Sequence, residues 1–564
     1  MKKLFYVLAF STLLPNAGVC QGEYINIQSQ NAIGSALIDN AEKTVIDQNG
    51  NILVSGTFSE ELDFDPTEET FLLSPLGLPD VFLASYAANG NFNWAFNLGR
   101  ISLNNGMSVG GIAVDSQNNL VMTGSFSLNV DFDPSEENEV LSSVLGRDAF
   151  IAKYSSQGDL IWVRQFGGLG SELGTALAID QEDNISLGLR FSSEVDLDPA
   201  DENDVLINPV GGSDASIVKL DSDGNYLWSY NVSPDADNET VSALAATPDG
   251  KVVLGAIVHA TNSGIPTQSM LAAVVNPDGS ESWTYDFMNL GQSNVISHIA
   301  ISQNGEDFYL GGRIQEDTDF DPSSESSVIQ PNFADPFISK HSLVDGSLVW
   351  ATYVLSDALD DFCAGVHESN GLAFMAGSFD VQAIFDPNDF STIEFSNGSA
   401  DVFISVYDAE TGAFIDAQTY GGSGAERAND AYFRGENGLC LVGNFSSSLS
   451  LLEEEIINAQ GFEDGFYSRF SFLYNLSAER ELQKSNVSVY PVPAIDQVFV
   501  ELGQEIFGKI EIKIVNIVGQ TVFEEGFVYN NARMPVDISS LPKGVYLTEI
   551  KSHNSSVTKR LIKK

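Results

Sequence analysis

A glycine inside an apolar run recurs seven times along this chain, at intervals of 57 to 68 residues. Between these glycines, four short extended runs alternate with turn sequences such as Ser155-Ser156-Gln157-Gly158, and helical periodicity is nearly absent. One four-stranded sheet cannot bury both of its faces, so such units must stack on one another, which predicts an all-β repeat architecture. The recurring glycines are Gly56, Gly124, Gly188, Gly255, Gly312, Gly377 and Gly443.

Seven units of about 65 residues favour a seven-bladed β-propeller over residues 21–475, because β-helices usually have much shorter repeats. The repeats resemble the SBBP-type β-propeller repeats of bacterial secreted proteins, a resemblance that implies a fold and not an activity. The seventh unit has no fourth strand after residues 464–470. We therefore expect residues 24–29 to form the outer strand of the last blade, beside residues 466–472, since an open edge would invite aggregation.

Three further features accompany the glycine in most units: an Asp-x-Asp-Pro segment, an aspartate that opens the next strand, and a tryptophan 14 or 15 residues after that. The fourth unit lacks both aspartate features, and the seventh lacks the Asp-x-Asp-Pro segment. The sixth unit carries the variant Ile384-Phe385-Asp386-Pro387 and has Asp416 in place of the tryptophan. We expect the tryptophans to pack in the core. The strand-opening aspartates are Asp80, Asp148, Asp214, Asp335, Asp401 and Asp464, and the tryptophans are Trp94, Trp162, Trp228, Trp283 and Trp350.

The Asp-x-Asp-Pro segments are the most repeated polar feature. Residues i and i+2 of an extended segment point the same way, so Asp131 and Asp133 face one side and Phe132 plugs the core on the other. Clustered carboxylates on a turn suit Ca²⁺, while the alternative is turn capping on a solvated acidic rim. Both interpretations stay open for Asp63, Asp65, Asp131, Asp133, Asp196, Asp198, Asp319 and Asp321.

Charge is distributed unevenly. The 564 residues carry a net charge of −52, yet residues 484–564 hold ten basic and eight acidic side chains, a net +2. This step in composition predicts a domain boundary near residue 480, with residues 476–485 as the linker. A chain this acidic lacks the electrostatic footprint for binding nucleic acid or anionic lipid.

The N-terminus has the pattern of a secretory signal peptide over residues 1–20, with Lys2 and Lys3 before an apolar stretch of 11 residues, Leu4 to Leu14. A lipoprotein alternative would use Cys20 as the lipidated residue. No later segment is apolar enough to predict a transmembrane helix.

The last 80 residues alternate apolar and polar positions with period two, which predicts a small immunoglobulin-like β-sandwich over residues 486–564. Their motifs resemble the type A C-terminal sorting domain of the Bacteroidetes type IX secretion system. The resemblance implies that the secretion machinery is a partner and that the chain is released or attached to the outer cell surface. The motif positions are Pro491, Pro493, Gly519, Leu541, Pro542, Gly544, Tyr546, Lys563 and Lys564.

Signatures of enzymes are sparse. No Gly-x-Ser-x-Gly motif occurs, and the five histidines show no i, i+4 pair for zinc. Cys363 and Cys440 sit in apolar runs, so we expect them to be buried. The sequence favours a non-catalytic binding or adhesion protein for an extracellular glycan or protein, with no cofactor beyond Ca²⁺. The alternatives are a propeller hydrolase or lyase acting on polysaccharide and a purely structural surface protein.

Overall fold

The computed structural model contains two compact units, one of them Ile25–Phe472 and the other containing the C-terminal strands. The predicted signal peptide (residues 1–20), Tyr24 and the predicted linker (residues 476–485) lie outside the described residues. The residues described are 25–67, 69–77, 79–99, 106–135, 137–200, 204–232, 237–262, 265–287, 294–323, 326–358, 361–434, 438–452, 455–472, 487–502, 508–516, 520–529, 533–552 and 555–564.

The first unit contains seven larger antiparallel sheets in the part of the chain that the structure describes. Sheets 1 to 3 are Asn40–Ile46, Ile52–Phe58, Asp80–Tyr86 and Phe92–Leu98; Ser108–Val114, Leu120–Phe126, Asp148–Tyr154 and Leu160–Phe166; and Leu173–Ile179, Ile185–Phe191, Asp214–Leu220 and Tyr226–Val232. Sheets 4 and 5 are Asn238–Ala246, Val252–Asn262, Ile265–Val275 and Glu281–Asp286; and Val295–Ile301, Asp307–Ile314, Asp335–Ser342 and Leu348–Tyr353.

Sheets 6 and 7 depart slightly from this plan. Sheet 6 is Phe362–Ser369, Leu372–Ile384, Ile393–Asp408 and Phe414–Tyr420, with the short strand Leu355–Ser356 on its second strand and a 3₁₀ turn at Phe390–Thr392. Sheet 7 is Glu426–Arg434, Gly438–Phe445, Asp464–Phe472 and, from the other end of the chain, Ile25–Ile33. Short two-stranded hairpins lie between the second and third strands of sheets 1, 2, 3, 5 and 7. They are Leu62–Asp63 with Leu72–Leu73, Asn129–Asp131 with Val140–Ser142, Val195–Asp196 with Leu206–Ile207, Thr318–Asp319 with Val328–Ile329, and Ser448–Leu452 with Glu455–Asn458.

The first strands of consecutive sheets contact one another in order, and the first strand of sheet 7 contacts that of sheet 1. The sheets therefore close into a ring with their first strands innermost, which is the arrangement of a β-propeller. Sheet 7 joins the two ends of the unit, because Ile25–Ile33 pairs antiparallel with Asp464–Phe472 from Ile25 opposite Phe472 to Ile33 opposite Gly465. This strand is longer than the six residues expected from the sequence.

The recurring glycine allows a bulge in the neighbouring first strand. In sheet 2, Gly124 pairs with Val109 at a bulge between Val109 and Gly111, and a Cβ on Gly124 would lie 1.9 Å from the carbonyl oxygen of Ser108. In sheets 3, 4 and 5 the bulged residue is polar and bonds the next sheet. The hydroxyls of Thr175, Ser242 and Ser297 donate to first-strand carbonyls of Val241, Ile296 and Cys363 at 2.6, 2.5 and 3.0 Å.

The tryptophans lie between sheets. Their indole N–H groups donate to a turn carbonyl of the following sheet, and Trp94 packs on Gly158, a residue with φ of +90° in the accepting turn. They therefore act as packing elements, as the repetition suggested. The five bonds are Trp94 to Ser156 at 3.0 Å, Trp162 to Ser222 at 3.3 Å, Trp228 to Pro277 at 2.9 Å, Trp283 to Leu343 at 3.2 Å and Trp350 to Ala409 at 3.1 Å.

The middle residue of the Asp-x-Asp-Pro segment is a core plug, which confirms that prediction. Phe132 is fully buried and lies 5.4 and 4.9 Å, centroid to centroid, from Phe126 and Phe150. The two cysteines are also buried, and burial raises the pKa of each thiol to about 12. The other buried plug residues are Phe64, Leu197, Phe320 and Phe385.

We expect Phe132→Ala to lower the free energy of unfolding by about 3–5 kcal/mol, because it removes a buried ring between two others. Urea denaturation of the purified protein measures this. Val140→Ala is the matched control, since Val140 lies on the same hairpin and is 51% exposed. Equal stability of the two variants would contradict the plug assignment.

The second unit consists of two sheets over one core. A three-stranded sheet holds Val487–Tyr490, Gln497–Leu502 and Met534–Asp537, and a four-stranded sheet holds Gly508–Asn516, Thr521–Tyr529, Gly544–Ser552 and Ser555–Lys563. Their shared core contains Val498, Val500, Ile510, Ile512 and Ile550. The sequence pattern missed Met534–Asp537 because this strand has only four residues, one of them proline. Among the described residues, no helix is long and apolar enough to cross a bilayer.

Candidate binding site at the mouth of the ring

The four Asp-x-Asp-Pro segments lie on the short hairpins of sheets 1, 2, 3 and 5. In each, the first aspartate accepts two backbone N–H bonds through Oδ1, as Asp131 does from Asp133 at 3.1 Å and Glu139 at 3.0 Å. The other three copies make the same pair of bonds from backbone N–H groups: Asp63 accepts from Asp65 and Phe71, Asp196 from Asp198 and Val205, and Asp319 from Asp321 and Ser327.

The second aspartates cap the turn in the same way. Asp65, Asp133 and Asp321 accept the N–H of the residue two positions later at 2.9, 2.9 and 2.8 Å. Such bonds are the ordinary local chemistry of aspartate in turns. Each copy sits on its own sheet, and within the described ranges no three His, Cys, Asp or Glu side chains are grouped so as to hold a metal ion. Calcium at these loops stays a prediction.

The residues of the sorting motif are distributed over the second unit. Pro491, Pro493 and Pro542 are exposed, while Leu541 is buried and the Tyr546 hydroxyl donates to the Pro542 carbonyl at 2.8 Å. Gly544 begins the strand Gly544–Ser552. Lys563 is buried with its Nζ 3.3 Å from Asp496 Oδ1, Lys564 is exposed, and Gly519 lies outside the described residues.

A polar cavity of about 420 Å³ opens where the first strands of sheets 7, 1, 2 and 3 end. It contains charged, amide, hydroxyl and aromatic side chains that lie far apart in the sequence. Arg434 on its wall donates through Nη1 to the carbonyl of Ile46 at 2.7 Å. The lining includes Gln48, Asp115, Ser116, Asp180, Tyr432 and Arg434.

Two of the aspartates that line the cavity are held in buried ion pairs. Lys153 Nζ lies 2.9 Å from Asp115 Oδ2, and Lys219 Nζ lies 2.8 Å from Asp180 Oδ2. Burial alone would raise the pKa of both aspartates, but hydrogen bonds from the lysines and from asparagines outweigh it, so both pKa values are below their usual range. These carboxylates are held charged and partnered, which suits a structural role better than proton transfer.

Outside this cavity, on the first strands of sheets 5 and 7, His298 Nε2 lies 3.1 Å from Asp430 Oδ1, and His298 Nδ1 lies 3.0 Å from Ser297 Oγ. This is the residue set of a hydrolase triad. The Ser297 hydroxyl, however, donates to Cys363 at 3.0 Å and repeats the bond that Thr175 and Ser242 make between sheets. Ser297 thus belongs to the ring-closing pattern.

Sequence reasoning did not find this cavity. Its residues come from four units, and single polar residues at strand ends carry no local motif. One signal was available in the sequence. Asp115 and Asp180 each precede an asparagine by four residues, and each of these two units has a lysine on its third strand. That pattern predicts an ion pair, and only the ring brings two such pairs to one opening.

Residues 488–564 match the family described as Secretion system C-terminal sorting domain. The match confirms the resemblance found in the sequence, and these residues are such a domain. It indicates export by the type IX system and implies a secreted or surface-attached protein.

The chain also has distant relatives. It is 23% identical over 240 residues, 39% of this chain, to an uncharacterized WD repeat-containing protein of Acanthamoeba polyphaga mimivirus, of which it spans 17%. Similar solved structures include the β-propeller domain of the Trilobed protease of Pyrococcus furiosus (6% identity, 76% of this chain and 97% of that one, TM-score 0.35). Another is a polysaccharide lyase of family PL25, an ulvan lyase (10% identity, 77% and 96%, TM-score 0.38). These TM-scores are too low to support the fold assignment, which relies on the sheets of this chain.

Proposed function

We propose that this protein is a seven-bladed β-propeller that binds an extracellular glycan or protein at the mouth of its ring, without catalysis, in adhesion to surfaces or matrix. An immunoglobulin-like sandwich would be its export signal. The observation that carries the proposal is the cavity bounded by Gln48, Ser116 and Arg434, whose carboxylates Asp115 and Asp180 are neutralised by buried lysines. Such a surface offers hydrogen bonds to a polar ligand. Its third carboxylate, Asp183, accepts hydrogen bonds from the backbone N–H and the hydroxyl of Ser116 at 2.8 and 2.6 Å, so each of the three carboxylates has a partner.

We expect Gln181→Trp to weaken binding by about tenfold or more, about 1.4 kcal/mol, because Gln181 lines the cavity and an indole would block it. Immobilised neutral and acidic polysaccharides and matrix proteins are the probes. Gln157→Trp is the matched control, since Gln157 is exposed on an outer turn of sheet 2.

The same polysaccharides incubated in solution with the protein separate the alternatives. Binding without shortened products supports the proposal. Shortened or unsaturated products would favour a hydrolase or lyase, and no binding to any probe would favour a structural surface protein. Equal binding by the Gln181→Trp and Gln157→Trp variants would place the site elsewhere.

A further inference from the structure

Buried acidic residues face one another where neighbouring sheets meet. One member of each pair is the recurring aspartate of the third strand, which opens that strand except in sheet 6, where Asp401 lies within Ile393–Asp408. The other is the residue two positions before the bulge in the first strand of the following sheet. The pairs are Asp148 with Glu172, Asp214 with Glu239, Asp335 with Asp361, Asp401 with Glu426, and Asp464 with Asp39.

Backbone pairing sets the acids side by side. Arg147 and Ser171 form a parallel bridge, and the Glu172 N–H donates to the Arg147 carbonyl at 2.7 Å. Ser213 and Asn238 do the same one sheet later, where the Glu239 N–H donates to Ser213 at 2.9 Å. The paired acids are the residues that directly follow these bridges. The two members of each pair must therefore lie side by side where the two sheets meet.

The acids tend to occur together. Sheet 4 has Ser269 where the other sheets have the strand-opening aspartate, and the partner position in sheet 5 is Asn294. Asp80 is the exception, since Met107 occupies the partner position. This matching favours a joint role for the two carboxylates.

In two pairs both members have a buried oxygen without a partner, whereas in the Asp335–Asp361 and Asp401–Glu426 pairs only the second member has one. Asp148 Oδ1, Glu172 Oε2, Asp214 Oδ1 and both carboxylate oxygens of Glu239 are buried without a hydrogen-bond partner in the described structure. Glu172 and Glu239 are fully buried, and none of these four side chains joins an ion pair in the described part of the chain. A buried carboxylate outside any ion pair costs several kcal/mol, so we expect a ligand to neutralise it.

The surroundings supply further oxygen atoms. The Ser193 hydroxyl donates to Glu172 Oε1 at 3.0 Å and lies 3.4 Å from the carbonyl oxygen of Glu194. Burial first, and then repulsion from Asp214 and Asp237, raise the pKa of Glu239 to about 8, although Arg190 lowers it. Oxygen donors of high negative charge density are what a hard divalent cation prefers.

We propose that the Asp148–Glu172 and Asp214–Glu239 pairs each bind one Ca²⁺ ion between neighbouring sheets, with main-chain carbonyls and water completing the coordination. These sites differ from the Asp-x-Asp-Pro loops, whose aspartates already cap turns. Each ion joins two sheets of the ring, so calcium stabilises the folded state by mass action.

The test is equilibrium dialysis of the full chain with radioactive calcium, together with thermal unfolding with and without Ca²⁺ at matched ionic strength. Glu172→Gln and Glu239→Gln should each lower the number of bound ions by one, and the double variant should lose the calcium-dependent rise in Tm. Both variants should fold, because the glutamine amide has nearly the same shape as the buried carboxylate that it replaces. Asp131→Asn with Asp133→Asn is the matched control and should behave like the wild type.

Three results would overturn the proposal. One is unchanged stoichiometry in both glutamine variants. Another is loss of calcium binding in the loop control alone, which would return the ions to the Asp-x-Asp-Pro segments. The third is a Tm that does not change with Ca²⁺ but rises as the pH falls. Carboxyl groups whose pKa is raised in the folded state stabilise that state by taking up protons.

Discussion

Deletion of the N-terminal strand, residues 25–33, is expected to abolish cooperative folding of the ring. The strand supplies the outer edge of sheet 7 and buries Ile25 and Ile33, with 7% and 2% exposure. Ile33 belongs to a core cluster that also contains Ala41 of sheet 1 and Tyr467 of sheet 7. The two isoleucines alone contribute about 3–6 kcal/mol, a large share of the 5–15 kcal/mol typical of a folded protein.

Point variants distinguish this closure from a general effect of truncation. Ile33→Asn should lower the midpoint of urea unfolding strongly, because it places an amide in the core cluster. Gln28→Ala is the control on the same strand, since Gln28 is exposed and bonds only the Ser471 hydroxyl in the described structure. A deletion variant that unfolds at the wild-type midpoint would show that the ring closes without this strand.

The repeat made much of the fold predictable. Turn residues and apolar runs marked the strands, and the missing fourth strand of the last unit pointed to the N-terminus. Asp416 had no explanation in the sequence. A tryptophan at position 416 would donate its hydrogen bond to the turn that joins the third and fourth strands of sheet 7. Those two strands come from opposite ends of the chain, so no turn joins them. In sheet 7, Arg469 donates instead to the carbonyl of Ala88 in sheet 1, the position that tryptophans bond elsewhere.

The candidate sites could not be predicted in the same way. Glu172, Asp361 and Asn294 occupy one structural position but differ in type, and each meets its partner only when neighbouring sheets pack side by side. The cavity depends in the same way on Arg434 of the seventh unit reaching Ile46 of the first. A periodic pattern reveals what every unit shares, whereas these sites depend on what differs between units.

Deletion of residues 488–564 is expected to reduce the extracellular protein to background and to leave the ring inside the cell envelope. These residues are the sorting domain, and the ring is a separate compact unit that does not need them for its sheets. Immunoblots of medium, surface-protease-treated cells and periplasm measure the distribution. The retained chain should still unfold cooperatively, which excludes misfolding as the cause. Normal extracellular levels of the truncated chain would contradict the assignment.

Ile512→Asn should block export as completely as the deletion, although every motif residue is kept. Ile512 is fully buried at the centre of the core between the two sheets, so an amide there leaves hydrogen-bonding groups unsatisfied and unfolds the domain. Glu511→Gln is the matched control, because Glu511 is the preceding residue on the same strand and is exposed. Export of the Ile512→Asn variant at the control level would mean that the machinery reads the linear motif and not the folded sandwich.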